Sequence, residues 1–170
     1  MKSFFVYIGL CILVLLASWS CVPHISLNGA TIPAGAKTIS VAYFTNNTTL
    51  ASPTTAQRFT EKLRDMVSSQ TNLALVKNNG DLQFEGYISN YNVAPVSIQS
   101  TDQAASNRLT VSVMVKYTNT LDEKQSFEQE FTRFADFKAD KTLSAVEGDL
   151  LTEINRQLTE DIFNKAFNNW

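Results

Sequence analysis

Acid–base, nucleophilic and metal chemistry need clustered His, Cys, Asp or Glu, and this 170-residue chain offers one His and two Cys. His24 stands between Pro23 and Ile25, in a stretch with no other ligand type beside it except Cys21. Asp136, Asp140, Glu147 and Asp149 lie close enough in sequence to suggest a paired general acid and base, the arrangement a hydrolase needs. They straddle a loop and the start of a helical pattern, which reads as solvated surface charge. No catalytic residue, metal site or cofactor is therefore expected. Nor is nucleic acid: 14 Lys and Arg against 16 Asp and Glu give a net charge of −2, without the excess of cations that displaces counterions from phosphates.

Covalent chemistry has one strong candidate. Lys2 is followed by an apolar run from Phe4 to Ala17, interrupted only by Gly9 and the hydroxyl of Tyr7. The run is shorter than the roughly 20 residues that span a bilayer as a helix, so it reads as a secretory signal. Ser18, Trp19 and Ser20 then lead into Cys21. This resembles a bacterial lipoprotein signal, in which the Cys is lipidated and becomes the first mature residue. Cys11 would leave with the signal, and lipidation accounts for the odd Cys that remains. Acyl chains on Cys21 would anchor the protein to a membrane. Residues 1–20 are read as signal peptide and residues 21–36 as lipidated tether and loop, the latter punctuated by Pro23, Gly29, Pro33 and Gly35.

The elements of the remaining domain, residues 37–170, follow from periodicity. Lys37 to Phe44 predicts a strand with Ile39, Val41 and Tyr43 on one face. Ser52-Pro53 opens a helix, since Ser caps and Pro tolerates the first turn, and Phe59, Leu63, Met66 and Val67 carry its stripe to Gln70. Leu73 to Val76 is a short strand, followed by the turn Asn78-Asn79-Gly80-Asp81. A long strand has Leu82, Phe84 and Ile88 on one side, and its phase slips at Ser89-Asn90, where a bulge is expected. Leu109, Val111, Val113, Val115 and Tyr117 alternate with polar neighbours in the next strand. Leu121 to Lys124 makes a hairpin connection into a strand over Phe127 to Phe137. From Lys141 to Trp170 the period becomes helical, and Phe163, Phe167 and Trp170 are assigned to packing. The expected fold class is α+β: a two-layer sandwich with a mainly antiparallel sheet of about four strands and two helices on one face, in β-α-β-β-β-α order.

Six segments together carry a resemblance: N-G-A-T-I-P-A-G-A-K-T-I-S-V-A-Y-F-T-N (28–46), S-S-Q-T-N-L-A-L-V (68–76), G-D-L-Q-F-E-G-Y-I (80–88), N-R-L-T-V-S-V (107–113), F-E-Q-E-F-T-R-F-A-D-F (127–137) and D-I-F-N-K-A-F-N-N-W (161–170). In this order they are similar to the LptE family of lipopolysaccharide-assembly lipoproteins, in its Bacteroidetes-type form. The resemblance implies a non-enzymatic lipoprotein of the outer membrane. Because Cys21 is followed by Val22, Pro23, His24 and Ile25, with no acid before Glu61, the acidic run of surface-exported lipoproteins is absent and the domain is expected to face the periplasm. It would enter the lumen of an LptD-like β-barrel as a plug and help insert lipopolysaccharide. V-A-Y-F-T-N-N-T (41–48) also looks like the opening of curli-export and TolB-like domains, so the alternative is a subunit of a secretion or efflux assembly.

Lipopolysaccharide binding wants cations for lipid A phosphates beside apolar surface. Arg108, Lys116, Arg133, Lys138 and Lys141 are the candidates near the sheet rim, with Arg108 and Lys138 preferred. Asp102, Asp122, Asp136 and Asp140 dilute any patch they form. The anchor reading is tested by Cys21→Ala: unprocessed precursor should collect at the inner membrane, and mature-sized protein in outer-membrane fractions would contradict lipidation.

Overall fold

The computed structural model describes residues 31–96 and 105–168. Cys21, His24, Asp102, Trp170 and the signal peptide therefore lie outside the described residues. The elements are β1 (Thr38–Val41), β2 (Thr45–Asn46), α1 (Pro53–Gln70), β3 (Ala74–Val76), β4 (Leu82–Val96), β5 (Ser106–Asn119), a 3₁₀ turn (Glu123–Gln125), β6 (Phe127–Lys138) and α2 (Leu143–Phe167). They form one sheet in the order β3-β1-β4-β5-β6, with β2 pairing β4. Helix α1 packs over β1, β2 and β3, helix α2 over β5 and β6, and the helices against each other.

The expected two helices and long hairpins are present, but the sheet has six strands and is mixed. β1 runs parallel to both β3 and β4, and β2 runs parallel to β4. The reason lies in two connections. Helix α1 returns the chain to the starting end of β1, so β3 must lie parallel to it. The link 77–81 then crosses from β3 to β4 over the backbone of β1. Gly80 is the crossing point: a Cβ there would stand 2.6 Å from the Ser40 amide nitrogen and 2.7 Å from the Ile39 carbonyl carbon.

Polar groups hold that crossing in place. The Gly80 amide donates to Ser40 Oγ (3.2 Å) and the Asp81 amide to Thr38 Oγ1 (2.9 Å). Asp81 Oδ2 in turn accepts from the Lys37 amide, the Thr38 amide and the Thr38 hydroxyl, each at 2.9 Å. Those hydrogen bonds, led by the Lys37 amide, hold the Asp81 carboxyl below its ordinary value of 3.8.

β1 ends at Val41, three residues before the Phe44 that the sequence pattern suggests. Tyr43 is consequently 55% exposed while Phe44 is fully buried, the reverse of the alternation expected for an unbroken strand. Helix α1 holds this corner. Arg64 donates from Nε and Nη2 to the Val41 carbonyl (3.2 and 2.7 Å), and the Phe44 amide donates to Thr60 Oγ1. Phe44 meets Phe59 edge-on at 4.9 Å between ring centres. The start of α1 follows its sequence signals, with Ser52 Oγ accepting from the Thr54 amide and Pro53 in the first turn.

β4 and β5 pair in register over their length, with a shift between Ile88 and Asn90 where the slip in phase places a bulge. Leu109, Val111, Val113, Val115 and Tyr117 are all buried under the helices. Phe127 to Phe137 is a strand, with Phe131 and Phe137 buried and Phe134 on the opposite face. Phe84, Tyr117, Phe127, Phe163 and Phe167 close one end of the core through ring contacts at 4.8 to 6.4 Å. Phe163 and Phe167 thus serve packing, as their spacing suggests. No helix among the described residues is long and apolar enough to cross a membrane.

Gly80→Ala should destabilise the fold by about 3 kcal/mol, since the Ser40 and Ile39 atoms it would meet are backbone and cannot rotate away. Gly148→Ala, in α2 with only Arg58 Nη1 at 3.9 Å, should be neutral or gain up to about 1 kcal/mol. Urea denaturation of both variants reads the difference. Because Asp81, Asp136 and Glu153 all have depressed folded-state pKa values, Glu153 at about 2, their stabilisation is present above the unfolded value and lost as pH falls through the folded one. The melting temperature should therefore drop between about pH 5 and about pH 2, and Asp81→Asn should melt lower at neutral pH while showing a shallower acid slope.

Candidate functional site

With both helices on one side, the other face of the sheet is open. Register places its residues in rows across β4, β5 and β6: Glu85–Lys116–Glu128, Tyr87–Met114–Glu130, Asn90–Ser112–Thr132, Asn92–Thr110–Phe134, Ala94–Arg108–Asp136 and Val96–Ser106–Lys138. The charged members are four carboxylates and three cations, so this face carries no excess of positive charge. Hydroxyls knit its centre, where Ser112 Oγ and Thr132 Oγ1 lie 2.8 Å apart and Ser89 donates to Glu130 Oε1.

The rows decide what each sequence candidate can do. Arg108 makes a two-pronged contact with Asp136, Nε to Oδ1 at 2.7 Å and Nη2 to Oδ2 at 2.8 Å, and its guanidinium lies 3.7 Å from the centre of the Phe134 ring. The Asp136 hydrogen bonds raise the Arg108 pKa, and those from Arg108 lower that of Asp136. Arg108 is thus a neutralised, stacked platform. Lys116 is exposed between two glutamates.

Arg133 does not share this face. It lies on the helix side, one residue from the row of Phe134, and donates to both Asp161 carboxylate oxygens of α2 at 2.6 and 2.7 Å. That pair fastens the edge strand β6 to its covering helix. Lys138 ends β6 on the open face and Lys141 follows in the exposed loop, the Lys141 amide donating to the Lys138 carbonyl. Among the described residues Lys116, Lys138 and Lys141 form no ion pair. The structure therefore brings Lys138 and Lys141 together at one end of the sheet, with Arg108 one row away, and sets Lys116 and Arg133 apart from them.

The four carboxylates of the hydrolase reading are dispersed. Asp136 is held by Arg108 on the open face, whereas Glu147 on α2 accepts a 2.5 Å hydrogen bond from the Tyr91 hydroxyl. Burial first, and then Glu147, push the Tyr91 pKa upward. No group of three or more His, Cys, Asp or Glu among the described residues is placed to hold a metal ion.

Sequence reasoning missed an apolar trough on the open face. Tyr43, Tyr87 and Met114 line a shallow cavity of about 400 Å³, closed at one end by Glu85, Lys116 and Glu128. The alternation of β4 and β5 already marks Tyr87 and Met114 as facing away from the core. Tyr43 joins them because β1 stops early.

The LptE family, described as lipopolysaccharide-assembly, matches residues 36–166. No curated protein matches the chain. Among solved structures, it is similar to a hypothetical protein from Chlamydia trachomatis (9% identity, 79% of this chain and 99% of that one covered, TM-score 0.52). It is also similar to an uncharacterized lipoprotein B from Nitrosomonas europaea (13% identity, 84% and 88% covered, TM-score 0.52). A third is a minor lipoprotein from Acinetobacter baumannii (12% identity, 76% and 91% covered, TM-score 0.50). At these identities the likeness is one of fold. The family match spans β1 through nearly all of α2, and by it the chain belongs to the LptE family of lipopolysaccharide-assembly proteins.

Proposed function

We propose that this protein is an outer-membrane lipoprotein that pairs with an LptD-type β-barrel, places its domain in the barrel lumen from the periplasmic side, and assists lipopolysaccharide insertion by binding rather than catalysis. The family match over residues 36–166 is the observation that carries this reading. The open face supports it. Its rows of Asn, Ser, Thr and balanced charge suit the polar interior of a membrane barrel, which a basic or broadly apolar face would not.

The two ends of the sheet divide the work. The chain enters the domain at the end where β1 and β4 begin and β5 finishes. Lys138 and Lys141 lie at the opposite end, separated from it by the 14 residues of β5, or about 45 Å. In this reading the anchored end stays near the leaflet while Lys138 and Lys141 meet lipid A phosphates further along the barrel.

Affinity purification from outer membranes tests the pairing, and lipopolysaccharide capture tests the cations. A barrel of LptD size should copurify, whereas recovery with a ring-forming export complex would support the secretion-assembly alternative. Lys138→Glu with Lys141→Glu should reduce lipopolysaccharide capture at least about tenfold and leave the barrel bound. Arg133→Ala should lower the melting temperature without altering capture, since its carboxylate partner is on α2. Unchanged capture in the double variant would remove both lysines from the site.

A further inference from the structure

The chain enters the domain beside the carboxyl end of α2. The Thr31 amide donates to the Phe167 carbonyl at 2.7 Å, and Gly35 lies next to Leu121 of the β5–β6 connection. Between these segments is a cavity of about 490 Å³. Ile32, Pro33, Phe127 and Phe167 supply its apolar wall, and Lys124 and Lys165 its charge. The Lys165 ammonium is 5.9 Å from the centre of the Phe127 ring.

Among the described residues no carboxylate lines this cavity and neither lysine forms an ion pair. The nearest acids in the connection are Asp122 and Glu123. Asp122 caps the 3₁₀ turn, accepting from the Lys124 amide and the Gln125 side chain, and Glu123 is exposed. Leu121, half exposed, lies against Gly35, the residue after the cavity-lining Ala34. Two free ammonium groups above an apolar wall, with a protruding Leu at the rim, match a phosphodiester headgroup joined to acyl chains.

Location selects the source of that headgroup. Thr31 is ten positions along the chain from Cys21, a reach of at most about 35 Å, so an anchor at Cys21 keeps this end of the domain close to its own leaflet. We infer that the cavity between residues 31–35, Lys124 and Lys165 binds the headgroup of an anionic phospholipid in the leaflet that holds the anchor, and so fixes the tilt of the domain on the membrane. This rests on the anchored reading of Cys21 but not on the barrel or on Lys138 and Lys141.

Photocrosslinking tests it on the full protein extracted from membranes and placed in phosphatidylcholine nanodiscs containing phosphatidylglycerol. Photoactivatable phosphatidylglycerol should label peptides containing Leu121 and Phe127 several-fold more than photoactivatable phosphatidylcholine. Lys124→Gln with Lys165→Gln should cut that labelling by roughly tenfold, as expected for two lysines at a charged surface. Equal labelling by the two lipids, or no change in the double variant, overturns the inference. So does displacement of phosphatidylglycerol by equimolar lipopolysaccharide, which would give the cavity to that ligand instead. Barrel copurification and capture through Lys138 and Lys141, measured on the same preparations, separate failure here from failure of the lipopolysaccharide-assembly reading. Protein recovered only in the soluble fraction would overturn the anchor and this inference together.

Discussion

The passage of Gly80 across the backbone of β1 is the constraint on which the arrangement of the sheet depends. β1 is flanked on both sides by strands parallel to it, and the chain can reach the second side in five residues only by running over β1 itself. No side chain fits at the crossing. The hydrogen bonds from Thr38, Ser40 and Asp81 then fix where β4 starts. Since side chains alternate along a strand, that starting point decides which residues of β4 face the helices and which face outward. The register of β5 against β4, and of β6 against β5, follows from it. A one-residue slip at the crossing would turn Phe84 outward and Glu85 into the core.

Much of this was legible in the sequence because it is local. The alternation in β5, the bulge at Ser89-Asn90, the cap and proline of α1 and the helical stripe of α2 all arise from neighbouring residues, and the structure keeps them. Parallel pairing was not legible, since it is set by where distant segments meet and not by the pattern within one. The early end of β1 was hidden for a related reason: Val41 and Phe44 both point into the core, and only the Arg64 and Thr60 contacts from α1 make that possible. Charge pairing was partly legible. Arg133 shares its parity with Phe131 and Phe137, which marks it for the helix side, whereas the contact of Arg108 with Asp136 depends on a register no single strand reveals. Lys124 and Lys165, 41 positions apart, meet only through the fold.

The distribution of charge gives the molecule a direction. Along the open face most cations are answered by carboxylates in the same row, so attraction for phosphate is confined to the two ends of the sheet. One end holds Lys124 and Lys165 where the tether arrives; the other holds Lys138 and Lys141. On the proposed reading, a middle of paired charge between ends that each carry two lysines outside any ion pair among the described residues would let the domain sit in a polar lumen while its ends meet different lipids. Family membership supplies lipopolysaccharide assembly as the setting, and this separation supplies a physical means by which a protein of near-zero net charge could take part in it.

The most direct test of that directionality is a photocrosslinker scan in intact envelopes, with p-benzoylphenylalanine placed in turn at Thr110, Phe134 and Asp140 and at Ala34 and Leu121. The account predicts that the first three positions crosslink to a large β-barrel protein or to lipopolysaccharide and the last two to phospholipid. Barrel crosslinks confined to Ala34 and Leu121, with Thr110, Phe134 and Asp140 left uncrosslinked or joined only to phospholipid, would contradict it.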